Sequence, residues 1–535
     1  MWWWRVFLAA AVLAALIAAA EVKWAAFSNP SGGPDLPWGL CLAGGYVYVV
    51  GYEYGALGNG RWRVERRDAA DGRLVGVWTW DPTPLDGWPA SCVAAGGRVY
   101  VVGHAGGRWA LAVLDADLRP LAQLVEEVEG AAYSAAADGL YLYVAGYEKI
   151  DERDWQWRVE KRRLGDLSLV AVYTSNPTSY GDVAKGIGVD PATGRLWVVG
   201  GALDIWWVEI LDRELRRVKA RALVGWLGPA AGVAFDGVGN AYVYGVGGVV
   251  KFGAEGEPIS EARIRDPAGA VYAGGRLYVV ALDGGYRLAV YGPSYGSLLA
   301  RVDEIDLTPQ MSGRVYVGEP PYRVIHQRAA YERGVVYAAV EAGAFSDVGW
   351  LILSISLTAP VTVSVVDGAG APRDWLVEVL DPAGAVVASG RGRVEAQLLP
   401  GENYTARVHG PWLYNATFTA AEGYVAIRVP TAVVEVAVVD GRPAGPLAVV
   451  LRGPVEIRLD APGRSEVPAG RYTVEVYAGG RAVKEAVELK PGETHVIVIT
   501  APEERRTFAY LLAAASLTAI SVLYVGMKRA TKHGG

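Results

Sequence analysis

The sequence predicts an all-β protein, much of it a repeat of small antiparallel sheets. Two observations carry that expectation. A five-residue apolar stretch recurs along the chain, usually behind a Gly-bearing turn. The composition also suits strands joined by tight turns: among 535 residues there are 68 Gly, 19 Trp and 29 Tyr, against only 7 Phe. Aromatic and β-branched residues fit a pleated, half-buried surface, and Gly makes turns that other residues strain to make.

The stretch is Val47-Tyr48-Val49-Val50-Gly51, behind Gly44-Gly45. It returns as Val99-Tyr100-Val101-Val102-Gly103, Leu142-Tyr143-Val144-Ala145-Gly146, Leu196-Trp197-Val198-Val199-Gly200 and Ala241-Tyr242-Val243-Tyr244-Gly245. Looser copies are Leu277-Tyr278-Val279-Val280-Ala281 and Val336-Tyr337-Ala338-Ala339-Val340. A tight turn followed by such a run reads as the second strand of a hairpin. The copies lie 52, 43, 54, 45, 36 and 59 residues apart, which reads as a radial repeat.

Longer comparisons add a duplication. Residues 47–83 match 142–178 at an offset of 95, pairing Trp62-Arg63-Val64-Glu65-Arg66-Arg67 with Trp157-Arg158-Val159-Glu160-Lys161-Arg162. Residues 98–119 match 195–216 at an offset of 97. First resembles third and second resembles fourth, so growth went partly by pairs.

The first unit divides into four short strands, around Gly39–Ala43, Tyr46–Tyr52, Arg61–Arg67 and Leu74–Trp80. Four antiparallel strands, seven times over, predict a seven-bladed β-propeller across residues 21–358. Six or eight blades also fit, because the unit before Val336 is long and irregular. The small-residue strand, Gly turn and Tyr-Val-Val-Gly strand resemble NHL and YVTN-type propeller repeats. That resemblance implies the architecture and brings no catalytic residue with it. The last blade reads as one strand short, with Tyr322–Ala330, Val335–Glu341 and Trp350–Leu357. The unclaimed strand Glu21–Phe27 would complete it and remove an exposed edge.

From about Ala359 the plan changes to short alternating strands in two segments, 359–430 and 431–501. Each suits a small β-sandwich. The turns Leu399-Pro400-Gly401-Glu402-Asn403-Tyr404-Thr405 and Val467-Pro468-Ala469-Gly470-Arg471-Tyr472-Thr473 resemble those of PEGA and carboxypeptidase-regulatory-like domains. The resemblance implies a stalk. Asn403-Tyr404-Thr405 and Asn415-Ala416-Thr417 are sequons, so Asn403 and Asn415 are candidate glycosylation sites in an exported chain.

The chain ends supply an address. Residues 1–20 carry an early Arg5, an apolar run and Ala18-Ala19-Ala20, which fits an export signal; an uncleaved anchor is the alternative. Thr507 to Met527 is free of charge and long enough to cross a bilayer as a helix. Lys528, Arg529 and Lys532 follow it, so residues 528–535 are expected in the cytoplasm and the body outside the cell. Three Met, two Cys and an excess of Arg over Lys fit a thermophile.

Little points to a reaction. A net charge of −6 gives no nucleic-acid footprint. The five His are scattered, so no metal is expected, and without a Walker loop or dinucleotide fingerprint no other cofactor is expected either. Asp190–Gly194 and Asp236–Asn240 faintly resemble calcium loops but read better as hairpin turns. The Trp-Arg-Val-Glu strands read as outer strands with ion pairs, or as walls of a charged aromatic groove. Cys41 and Cys92 stand in first strands of consecutive blades; they are read as two buried thiols or, less readily, as a disulfide. What differs between blades lies in the loops after Gly51, Gly103, Gly146 and Gly200. There stand Tyr52, Glu53, His104, Tyr147 and Glu148, the candidate binding residues. The expected function is a membrane-anchored surface protein that binds an envelope polysaccharide or protein. The rivals are a propeller enzyme (a lyase, glycosidase or quinone-dependent dehydrogenase) and a transporter's receptor subunit.

Overall fold

The computed structural model describes residues 20–54, 60–82, 86–203, 205–282, 285–295, 298–307, 328–344, 347–420, 423–439, 448–460, 462–478, 481–500 and 518–524. The regular structure there is all β. Two compact units follow one another, Met1–Thr358 and Ala359–Gly535. The expected signal at 1–20 lies, save Ala20, outside the described residues.

In the first unit the described strands fall into seven antiparallel sets of four. The first strands are Leu36–Ala43, Gly87–Ala95, the second half of Pro120–Ala137, Asp182–Val189, Ala230–Phe235, Pro267–Ala273 and Ala329–Glu332. The second strands carry the repeated motif: Tyr46–Tyr54, Arg98–Ala105, Tyr141–Lys149, Leu196–Ala202, Ala241–Gly245, Arg276–Leu282 and Val335–Ala344. The third strands are Gly60–Asp68, Arg108–Asp115, Trp155–Arg163, Ile205–Leu211, Gly248–Phe252, Tyr286–Tyr295 and Asp347–Ser356. The fourth are Leu74–Trp80, the first half of Pro120–Ala137, Leu169–Ser175, Arg217–Leu227, Pro258–Arg263, Leu298–Asp306 and, for set 7, Glu21–Ser28.

Glu21–Ser28 pairs antiparallel with Asp347–Ser356, so the first described strand completes the last set, as its sequence led us to expect. Ser28 Oγ reaches on to Glu65 Oε1 of set 1 at 2.5 Å. The first strands lie side by side from set 1 to set 7, and that of set 7 lies against that of set 1.

The repeated motif is explained by contacts between neighbouring sets. The Tyr48 hydroxyl donates to Ala116 O at 2.8 Å in set 2, and Tyr100 to Leu164 O at 2.7 Å in set 3. Tyr337 of set 7 donates likewise to Ala69 O of set 1 at 3.2 Å. At the other end of the second strand, the Gly makes room for a buried Trp. Trp62 Nε1 donates to His104 O at 3.1 Å, Trp109 to Tyr147 O at 2.7 Å and Trp157 to Gly201 O at 3.2 Å. A Cβ on Gly51 would lie 2.6 Å from Cζ2 of Trp350, so the same contact joins set 7 to set 1.

Six first strands bulge opposite the residue that closes the motif. The extra residues are Trp38, Ala90, Tyr133, Lys185, Ala231 and Ala268. Each is followed by a small residue: Gly39, Ser91, Ser134, Gly186, Gly232 or Gly269. Smallness is required because neighbouring first strands meet there. A Cβ on Gly39 would sit 2.9 Å from Ser91 Cα, and one on Gly186 2.6 Å from Ala231 O. Bulges re-aim side chains and raise local twist.

The second unit holds two sandwiches of one plan. In the first, Ala359–Val366 runs between antiparallel Arg393–Leu398 and parallel Gly423–Arg428. A four-stranded sheet faces it, in the order Val386–Arg391, Leu376–Leu380, Asn403–His409, Leu413–Thr419. Val361, Val363 and Val365 pack against Val377, Val379, Ala406 and Val408 between the sheets. In the second sandwich, Thr431–Val439 runs between antiparallel Gly463–Pro468 and parallel Thr494–Thr500. Each Pro-Gly or Pro-Ala-Gly turn is tied by its Tyr: Leu399 N donates to the Tyr404 hydroxyl at 3.0 Å, and the Tyr472 hydroxyl donates to Pro468 O at 3.0 Å.

Of the helix expected over 507–527, only Thr518–Tyr524 lies among the described residues, and there the backbone is strand. It runs parallel to Thr494–Thr500 at the sheet edge. The β-branched residues Thr518, Ile520 and Val522 favour extended backbone, and the open edge completes their ladder bonds. No helix among the described residues is long and apolar enough to cross a membrane.

Candidate functional site

Tyr52, His104 and Tyr147 each follow the Gly of a second strand. They therefore share one register position in sets 1, 2 and 3, with Glu53 and Glu148 one step further on. Tyr52–Glu53 and Tyr147–Glu148 do not adjoin, because set 2 stands between them.

The two carboxylates are already engaged. Glu53 is buried and ion-paired with Arg61 and, at 3.1 Å, with Arg63. Glu148 pairs with Arg158 at 2.6 Å and accepts from Gln156 Nε2 at 2.5 Å. Behind them stand two fully buried carboxylates. Glu65 lies between Arg63 at 2.9 Å and Arg67 at 2.6 Å, and Glu160 between Arg158 at 2.7 Å and Arg162 at 2.6 Å. The Trp-Arg-Val-Glu strands thus carry the expected ion pairs, but as buried chains on third strands, one in from the outer edge. The alternation holds, with Trp62 and Val64 on one face and Arg63 and Glu65 on the other. Neighbouring sets cover both faces.

His104 is buried, at 7% exposure, and meets the Trp88 ring edge-on at 3.6 Å between centroids. Neither ring nitrogen has a hydrogen-bond partner among the described residues. Burial lowers its pKa to about 4, against a slight opposing pull from Asp86. It is a neutral packing residue at ordinary pH.

Beside these groups stands an aromatic row in which Tyr147 is a candidate from the sequence and its partners are not. Trp155, Tyr147 and Tyr133 form a half-buried row, with ring centroids 5.0 and 6.0 Å apart and planes 28° from parallel in both pairs. Lys185 continues it, its ammonium 3.4 Å from the centre of the Tyr133 ring. Burial raises the Tyr133 and Tyr147 phenols to about 12, so both keep their protons. Burial also lowers the Lys185 ammonium to about 7. In sets 1 and 2, Trp38 and Trp88 lie 5.3 Å apart. Trp38, Tyr133 and Lys185 are all bulge residues, aimed by one backbone irregularity. A signal for them existed: Tyr133 follows Trp38 at the same offset of 95 that pairs the third strands.

Cys41 and Cys92 are joined by a disulfide, with Cα atoms 5.8 Å apart, in place of the two free thiols the sequence reading preferred. The close contact of adjacent first strands brings them within reach. Asp190 and Asp236 turn inward on their own hairpins: Asp190 accepts from Ala192 N and Thr193 Oγ1, Asp236 from Val238 N and Asn240 N. Asn403 and Asn415 are exposed on adjoining strands of the first sandwich, and Asn403 Oδ1 accepts from Thr419 Oγ1 at 2.8 Å.

No family model and no curated protein matches the chain. Among solved structures it is similar to a protein of unknown function from Bacteroides caccae, at 12% identity and a TM-score of 0.33, over 46% of this chain and 83% of that one. It is also similar to an acylaminoacyl peptidase of Pyrococcus horikoshii, at 11% identity and a TM-score of 0.35, over 57% of this chain and 49% of the peptidase. Likeness that slight carries neither ligand nor reaction to this chain.

Proposed function

We propose that residues 21–358 form a seven-bladed β-propeller that binds a polysaccharide of the cell envelope. The cyclic order of first-strand contacts supports the architecture, together with the Tyr337 and Trp350 contacts from set 7 to set 1. The observation that carries the function is the half-buried row Trp155–Tyr147–Tyr133 beside Lys185. Rigid aromatic residues with polar tips suit a ligand that is apolar on its ring faces and hydroxylated at its edges. Glu53 and Glu148 are held by arginines, so this end offers recognition more readily than proton transfer.

In this reading the two sandwiches are a stalk, residues 1–20 an export signal and the uncharged run 507–527 the anchor. A bilayer offers no partner to an open sheet edge, so a segment that pairs as a strand in water becomes helical on insertion.

The test is retention of the full chain, in detergent, on immobilised envelope polysaccharide. Trp155→Ala should weaken retention at least about tenfold while leaving the thermal midpoint within about 2 °C. Equal retention of the variant, or capture of an envelope protein with no glycan bound, would overturn the reading.

A further inference from the structure

We infer that Lys185 makes this mouth selective for an acidic polysaccharide, its ammonium taking the carboxylate of a uronate residue while the Tyr147–Trp155 side holds the sugar ring. The inference rests on the polysaccharide reading and sharpens it.

Three observations carry it. Lys185 Nζ makes no ion pair or hydrogen bond with any of the described residues; its contact is the Tyr133 ring, 3.4 Å away. Arg63, Arg67, Arg158 and Arg162 of the buried ion-pair networks, by contrast, all hold carboxylates. A half-buried cation without an anion is a loss that the right ligand removes. Secondly, Lys185 is a bulge residue, and the next two sets carry only Ala231 and Ala268 at that position. Neither adds a charged or bulky side chain at that position. Thirdly, no acidic side chain among the described residues acts on the ammonium, burial being the one cause of its shift. Leu196–Ala202 and Ala230–Phe235, packed against the Lys185 strand, contain no titratable residue. Tyr141–Lys149 brings Tyr147 and Glu148, and Glu148 is bound to Arg158 and Gln156. On the same strand as Lys185, Asp182 accepts from Thr178 N, Thr178 Oγ1 and Leu203 N.

A consequence follows for pH. Burial lowers the free ammonium to about 7. A bound carboxylate would raise it again, because an opposite charge favours the charged form. Binding therefore takes up a proton above neutrality, and affinity is full below pH 7 and weakens as pH rises.

The experiment is calorimetric titration of the full chain in detergent with hexagalacturonate, and with the same oligosaccharide as its methyl ester, which keeps the sugar and removes the charge. The wild type should bind the acid about tenfold more tightly than the ester at pH 6, and that preference should shrink toward about pH 9. Lys185→Met should bind both alike, and Lys185→Arg should keep the preference. If acid and ester bind the wild type equally, the inference falls and the polysaccharide reading stands. If neither binds, both fall. If Lys185→Met keeps the preference, another cation does the selecting and the inference is wrong.

Discussion

A methyl group on Gly103 would sit 2.2 Å from the Trp88 carbonyl oxygen and 2.9 Å from Cζ2 of Trp62. Both are parts of the frame that cannot swing away. Gly103→Ala should therefore destabilise the first unit by about 3 kcal/mol, as overpacking in a tight core does. Gly44→Ala is the control. Gly44 has φ +58° and nothing within 4 Å of its missing Cβ, so its substitution should cost about 1 kcal/mol, from the left-handed backbone alone. Urea unfolding of the two variants separates them. His104 gives a second prediction at this scale. Its folded pKa is held near 4 by burial, below the unfolded value of 6.5. The stability this brings is complete above pH 6.5 and is lost as pH falls toward 4, because the unfolded chain takes a proton that the folded one refuses. The difference amounts to about 3 kcal/mol. In His104→Gln the unfolding free energy should vary less between pH 7 and 4; an unchanged profile would contradict the burial argument. What the sequence showed of these residues was uneven. The repeated Gly was plain as punctuation, but its reason, a Trp from the previous set, needs the packing between sets. Tyr52 and Tyr147 were visible because they follow that Gly. Lys185 was not, because no local pattern marks which residue of a first strand is extruded.

At the scale of the element, hairpins were legible and bulges were not. A Gly-Gly turn before an apolar run declares itself locally. A bulge is a mismatch of register between two strands, so it exists only once they pair. The long strand Pro120–Ala137 shows the same limit: it serves two sets, and only its partners reveal the changeover. Glu21–Ser28 was predictable because completing a sheet and covering an edge ask for the same strand. The disulfide belongs here too. It ties first strands 51 residues apart in sequence, so breaking it frees a loop whose closure contributes about 4 kcal/mol in the chain-entropy account. Reduction, or Cys41→Ser with Cys92→Ser, should lower the thermal midpoint of the first unit by several degrees. A midpoint that does not move on reduction would show that the bridge adds nothing to the strand contacts already there.

For the molecule as a whole, the division of labour follows from what each unit leaves unsatisfied. The sandwiches of Ala359–Gly535 close their cores with alternating Val and Ala and tie their turns with Tyr404 and Tyr472. The first unit is framed by equally complete contacts, yet at one end it keeps a row of half-buried aromatics and a cation with no anion among the described residues. Function should lie where the frame is incomplete. Hydrogen–deuterium exchange on the full chain, with and without acidic polysaccharide, tests that claim most directly. The account predicts added protection in peptides spanning residues 131–148, 155–158 and 182–187, and none in the outer strands 74–80 and 169–175. Protection confined to the outer strands or to the sandwiches, with the mouth unchanged, would contradict it.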